Sequence, residues 1–388
     1  SFPEITGAVL YIILISLFVL ALSCIFGYLV AKISLKLKNK SFITVVISLL
    51  FFAGYYFVYF NANTFLSNLI KNINEYGAAI KSKAYPVYVV GRAAEGSALP
   101  LVIVCAAVLL VLFLTLFVIS RSFLKIATST AASPKVKYNG KSGKVKTVKV
   151  ALLYREAKRF VSSPNYMLNC GLGAVFMPAA GIFAVLKGSD IRSLMSTQLS
   201  AYEDLIYIGT AAVTFLLVSM NDVAAPSVSL EGKTLWQLRS LPVETKSVLK
   251  AKYTLQFYIN AVPALFMALC MIIALRPNIP AALLLPLNTL SFCVFHAFFS
   301  LFCGLHKVNL NWTNEVVPIK QSMSVVFAVF GGFGYAVLSG VLYFPFSMLN
   351  LPYGLIIYLS AFFVINALLS ALLYRWIAGR GVKVLEAL

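Results

Sequence analysis

Charge is scarce in this chain, and acidic charge is the scarcest. Only 11 % of the 388 residues are charged, with 12 Asp or Glu against 32 Lys or Arg. An average soluble domain carries about 25 % charged residues. That shortage excludes a water-soluble enzyme of this size. Histidine is nearly absent too, with His296 and His306 alone. The six cysteines (Cys24, Cys105, Cys170, Cys270, Cys293, Cys303) form no CxxC pair. They read as small buried hydrophobes, not as metal ligands or a disulfide framework. A nucleotide-binding loop is missing as well. Gly140-Lys141-Ser142 lacks the earlier glycine of G-x-x-x-x-G-K-[ST], and no strand precedes it. ATP hydrolysis by this chain itself is therefore not expected. The apolar runs are continuous and not alternating, which argues against a β-barrel.

What is present is hydrophobic. Such residues make up 61 % of the chain, with 30 Phe, 20 Tyr and a mean hydropathy of +0.90. A disordered basic tail would hold far fewer aromatics. A membrane-crossing helix needs about 20 mostly apolar residues. Nine runs qualify: 5–31, 42–60, 98–120, 165–186, 205–223, 251–275, 281–304, 321–343 and 353–375. The expected fold class is all-α, a polytopic helical membrane protein with nine transmembrane helices. Gly171, Gly173, Pro178 and Gly181 predict a kinked or broken helix over 165–186.

Nine spans alternate sides. Twenty-five of the 32 basic residues fall in the connections on one side, against seven on the other. The positive-inside rule makes the first side cytoplasmic. The net charge of +20 is thus a topology signal and an attraction to anionic membrane lipids, with no nucleic acid required.

The densest basic stretch, Lys135 to Lys149, is broken by Pro134, Gly140 and Gly143. It reads as a flexible cytoplasmic linker over 121–148. Over 149–162, Val150, Leu153, Ala157 and Phe160 recur at helical spacing, with Arg155, Glu156, Lys158 and Arg159 on the remainder. That pattern predicts an amphipathic helix in the head-group plane. Phe65, Leu66, Leu69, Ile70 and Ile73 suggest a short surface helix ending near Gly77 or Pro86.

Six spans follow 149 and three precede it. The three match the last three of the six in direction and in their connections. Two parallel six-span halves joined by the linker explain this pattern. In that scheme 1–120 holds the last three spans of the first half, and its earlier spans would precede Ser1. Residues 149–388 hold the second half.

Polar residues inside the spans are few. His296 lies mid-span, and Gln256, Asn260, Asn288, Thr214 and Thr289 are the other candidates. Such groups bond a neighbouring helix or line a substrate path. Asp222 and Lys252 read as lying at the cytoplasmic span ends. The lack of a titratable pair deep in a span counts against an ion-driven carrier.

Two connections carry a more specific pattern. The first reads Ser229-Leu-Glu231-Gly232-Lys233-Thr-Leu-Trp236-Gln-Leu-Arg239-Ser-Leu241-Pro242-Val243. The second reads Trp312-Thr313-Asn314-Glu315, then Lys320-Gln321. Together they resemble the permeases of type-2 ATP-binding cassette (ABC) exporters, closest to the fused, twelve-span exporters of Gram-positive bacteria. The resemblance covers 149–375 and is only architectural before it. It implies a bacterial plasma-membrane location, an elbow helix at 149–162 with Arg155, Lys158 and Arg159, and a coupling segment at 227–248. It also implies docking on cytoplasmic ABC ATPase subunits, two copies, with ATP and Mg held by them and no cofactor on this chain. The coupling residues would be Glu231, Lys233, Trp236, Arg239, Pro242 and Glu244, with Trp312, Asn314 and Glu315 as a smaller contact. The cargo is not fixed by the family; peptides, drugs and lipid-like molecules are all exported by relatives.

The residues themselves leave two readings for each aromatic and cap. Trp236 is either a partner anchor or an interfacial membrane anchor. Asn314 or Thr313 caps a helix starting near Glu315, or Glu315 pairs with a partner. Pro242 ends one helix and Glu244 opens the next. A secondary carrier or channel is the competing function, and a membrane-embedded transferase a third.

Overall fold

The computed structural model describes residues 2–36, 40–71, 81, 84–128, 146–197 and 203–388. Among the described residues there are helices and no strands. Among the described residues, eight helices are long and apolar enough to cross a membrane. A ninth crossing arises if a pair bent by 48°, Pro164–Cys170 and Gly173–Leu186, counts as one span. The chain is a multi-pass helical membrane protein. It divides into two compact units, Ser1–Lys141 and Ser142–Leu388. Most of the basic linker (residues 129–145) lies outside the described residues.

The first unit holds α1 (Phe2–Lys36), α2 (Lys40–Lys71), α3 (Tyr85–Ala94) and α4 (Ala98–Thr128). α1 packs along α4, and α3 lies against both. Contact is closest where Gly7 meets Gly96: a Cβ on Gly7 would stand 2.9 Å from the Gly96 Cα. An apolar cavity of about 460 Å³ opens between these three helices, bounded by Leu14, Phe18, Tyr85, Val89 and Ile103. The expected surface helix at Phe65–Ile70 is not separate. α2 runs on through Lys71 because no Gly or Pro lies between Phe60 and Lys71 to stop it; Ile73 and Gly77 fall outside the described residues. Pro86 does not end a helix either. It stands in the first turn of α3, where its missing N–H costs nothing.

The second unit begins with α5 (Val148–Ser162), α6 (Pro164–Cys170), α7 (Gly173–Leu186) and α8 (Gly188–Thr197). The span break falls at Gly171–Leu172, while Pro178 is tolerated inside α7. A side chain at Gly173 would strike the Leu217 carbonyl and Asn221, so this close crossing requires glycine. Next come α9 (Glu203–Ser219), α10 (Ala224–Ser229), a 3-10 turn over Gly232–Thr234, and α11 (Leu235–Arg239). Long helices α12 (Thr245–Leu275) and α13 (Ile279–His306) follow, then α14 (Val316–Lys320), α15 (Met323–Val341), α16 (Tyr343–Ser347) and α17 (Gly354–Trp376). A π turn at Ile377–Gly381 leads into α18 (Val382–Ala387).

Three layers of side chains hold this unit. At one end Leu152, Val228, Leu235, Leu249, Leu301, Ile377 and Leu385 join α5, α10, α11, α12, α13 and α18. In the middle Phe292 stacks on Phe215 at 4.1 Å between ring centres, beside Met177, Met267 and Ala336. At the other end Tyr207, Leu275, Leu285, Tyr343, Tyr358 and Phe362 close the bundle. Burying one such aromatic contributes about 3 kcal/mol.

The span after Glu203 is not one straight helix. It is interrupted between Ser219 and Ala224 and resumes as α10, a short helix in which every residue is buried. The expected span end at 223 is therefore an internal break. Met220-Asn221-Asp222-Val223 supplies the break, since Asn and Asp compete for backbone hydrogen bonds.

Candidate functional site

The segment after α10 carries the sequence pattern singled out above, and the structure sorts its residues into two sets. Lys233, Trp236, Arg239, Leu241, Pro242 and Glu244 are exposed. Trp236 is 65 % exposed, which is unusual for a residue whose ring would bury a large apolar area. α11 is amphipathic on a small scale: Leu235 and Leu238 point into the end layer, and Trp236 points away. Arg239 donates to the carbonyls of Leu385 (3.3 Å) and Glu386 (3.0 Å), tying α11 to α18. Between them lies a cavity of about 280 Å³ lined by Leu235, Leu238, Arg239, Val243, Val248 and Leu385. α11 ends at Arg239, ahead of Pro242, and Glu244 stands at the N-cap of α12.

Glu231 belongs to the other set, and this corrects its expected place on a docking surface. It is 1 % exposed. Its carboxylate accepts from Arg155 Nη2 and Arg159 Nη2, both at 2.7 Å, and from Lys252 Nζ at 2.9 Å. Lys252 Nζ also donates to Glu156 at 3.1 Å and to the Ser227 carbonyl at 3.0 Å. Arg155 reaches Glu156 at 3.4 Å. Three cations thus enclose two carboxylates. Burial alone would push the Glu231 carboxyl up, but Lys252, Arg159 and Arg155 outweigh it and hold it well below the usual carboxylate range. Burial would likewise lower the Arg159 guanidinium, yet Glu231 and Glu156 hold it above its ordinary value.

The same cluster corrects the face assigned to the amphipathic helix. α5 turns Leu152 and Glu156 inward, with Arg155 and Arg159 partly buried beside them, while Val150, Tyr154 and Val161 face out. Of its three basic candidates only Lys158 is fully on the exposed side. Counter-charges on α12 and on the segment after α10 draw the inner arginines in, which a hydrophobicity pattern alone does not reveal.

Trp312 braces the same segment. Its indole Nε1 donates to the Ser229 carbonyl at 2.6 Å, and its ring covers Gly232. Gly232 has φ +49°, a left-handed conformation suited to glycine. A Cβ there would lie 3.1 Å from the Trp312 ring. Asn314 Oδ1 accepts from the Val316 N–H at 3.0 Å, opening α14. Glu315 is exposed and accepts from Ser163 Oγ at 2.9 Å, linking α14 to the start of α6. Trp376 stacks on His306 at 4.7 Å.

The intramembrane candidates gather partly. Gln256 lies across the α9–α10 break: its Oε1 accepts from Val223 N and Ala224 N, and its Nε2 donates to the Asn221 carbonyl. Gln256 also donates to His296 Nδ1 at 3.3 Å. Asn260 lies one helical turn from Gln256 on α12. Asn288 is elsewhere, donating to the Leu359 carbonyl at 2.9 Å. All four are buried.

Glu156, Lys252, Asp222 and Ser300 were not among the sequence candidates. A single acid inside a basic helix and a single lysine opening an apolar run were the available signals. Asp222 and Lys252, expected at span ends, are each 1 % exposed.

No protein-family model, no curated protein and no solved structure matches this chain.

Proposed function

We propose that the chain is the membrane permease of an ATP-driven ABC exporter. The observation that carries this reading is the exposed face of Trp236, Leu241, Lys233, Arg239 and Glu244, backed by the buried ionic cluster at Glu231. A surface meant only for water does not need an exposed tryptophan beside arginine, the pair that protein interfaces use as anchors. Rigid support from behind is what a segment that transmits force requires.

In this reading nine spans are part of a six-plus-six arrangement, and the segment's end of the bundle faces the cytoplasm of a bacterium. α5 is the elbow helix. Two ATPase subunits bind ATP and Mg, close, and push on the segment around Trp236. The ionic cluster passes that push to α5 and α12, and the bundle opens outward. Catalysis belongs to the partner subunits. The cargo is hydrophobic or amphipathic, since the polar groups within the spans are few.

A pull-down from native membranes in mild detergent tests the reading. It predicts recovery of a nucleotide-binding subunit with the wild-type chain and its loss with Trp236→Ala. Recovery of none with the folded wild-type chain overturns it.

Buried Asp222 and His296 favour a second reading, a secondary carrier. Transport by the purified chain alone in an ion gradient supports that alternative.

A further inference from the structure

The break between α9 and α10 leaves backbone groups that need partners inside the bundle. Gln256 satisfies Asn221, Val223 and Ala224, and Ser300 Oγ accepts from the Ala225 N–H at 2.9 Å. The Ser300 hydroxyl proton is thereby directed at Asp222, to whose Oδ1 it donates. The second carboxyl oxygen, Oδ2, is buried and has no hydrogen-bond partner among the described residues. Nor does Asp222 form an ion pair there, because Lys252 is already engaged by Glu156 and Glu231.

The groups around the break are hydroxyl, thiol and imidazole side chains, or charged groups turned elsewhere. α6 brings Tyr166 and Cys170 within electrostatic reach of Asp222, and α13 brings Cys303. Tyr166 Oη donates to the Val223 carbonyl. On α13, His296 meets Gln256. α12 offers the engaged Lys252, with Lys246 and Lys250 exposed, α14 offers Lys320, which is exposed, and α15 contains no charged residue. An ionised carboxylate at this place is a buried charge met, among the described residues, by uncharged donors, the Ser300 hydroxyl and the Ala225 N–H, and by no cation, a situation a protein relieves by neutralising the group.

We propose that Asp222 is a proton-binding site within the membrane-spanning bundle, carrying its proton while the α9–α10 break is packed and releasing it to water only when that break opens. The bond lost on release is the carboxyl O–H, the proton passes to water, and the resulting carboxylate needs solvent around it. A proton fits better than a metal cation. The Ser300 hydroxyl presents a hydrogen, not an oxygen lone pair, to the carboxyl. A sodium ion needs several oxygen ligands instead.

Infrared difference spectra of the whole chain in lipid nanodiscs test this without any partner subunit, so the outcome is independent of the exporter reading. The expected result at neutral pH is a carboxylic-acid C=O band that disappears in Asp222→Asn. Should Asp222→Asn fail to fold, Ser300→Ala replaces it. Loss of the hydroxyl donor then shifts the same band, and an unshifted band overturns the assignment. Absence of the band in the wild type, or its persistence in Asp222→Asn, overturns the proposal. Loss of the band on adding sodium at constant pH also overturns it, by identifying a sodium site.

Discussion

Glu231 and Asp222 flank the same short helix, α10, and both are buried, yet their surroundings are opposite. Glu231 receives two arginines and a lysine. Asp222 receives a serine hydroxyl and the Ala225 backbone N–H, neither of them charged. Burial by itself therefore does not decide the charge of a carboxyl group; the counter-charges that the fold delivers do. At Glu231 the fold has built an ionised anchor behind an exposed face. At Asp222 it has built a neutral group at a helix break.

The largest test of that contrast is Glu231→Gln. It leaves Lys252, Arg155 and Arg159 facing Glu156 alone, and breaking a buried pair from one side costs about 3–5 kcal/mol. Thermal unfolding in detergent should show a clear fall in midpoint. Asp222→Asn, which replaces a neutral acid by an amide of the same shape, should stay within about 1 kcal/mol. Equal losses in the two variants break the comparison.

Gly232→Ala comes next. It combines a left-handed backbone with a Cβ at 3.1 Å from Trp312, so a loss of about 1–3 kcal/mol is expected in the same measurement. Arg155→Ala should cost about 1 kcal/mol or less, because Arg155 is part-exposed and screened by solvent, and Arg159 still holds Glu231. A large loss would show that the two arginines are not redundant.

Trp236→Ala has the smallest expected effect on stability, within about 0.5 kcal/mol, since little of the ring is buried. Its effect on partner recovery should be the largest of all. The pH profile separates the clusters further. The Glu231 carboxyl is depressed in the folded chain, so its stabilisation is fully present above the unfolded carboxyl range of about 4.3. It is lost progressively as pH falls from that range through the depressed folded value. Wild-type stability should decline in strong acid, and Glu231→Gln should lack that component of the decline.

Much of the helical architecture was legible from residues alone, because a run of about 20 apolar residues has few alternatives. Gly171 and Gly173 also marked the bent pair correctly as a region of weakness. The break at Asn221–Asp222 was visible in the letters but resembled a span end, since polar residues close an apolar run in either case. The Pro226 that follows sits inside α10, so it gave no stop signal. What the letters could not show was the pairing of Glu231 with Lys252 on α12 and with two arginines on α5. Those contacts join segments far apart in the chain, and they turned the helix face assigned by hydrophobic spacing. Trp236 and Glu231 share one motif, and only packing separates the exposed residue from the buried one.

Photo-crosslinking from position 236 tests the central claim most directly. A photoreactive amino acid replaces Trp236 in the full chain, and native membranes are irradiated. The account predicts a covalent adduct with a soluble ATP-binding subunit, undiminished when lipid composition is changed. Adducts with lipid alone would contradict it and make Trp236 a membrane anchor.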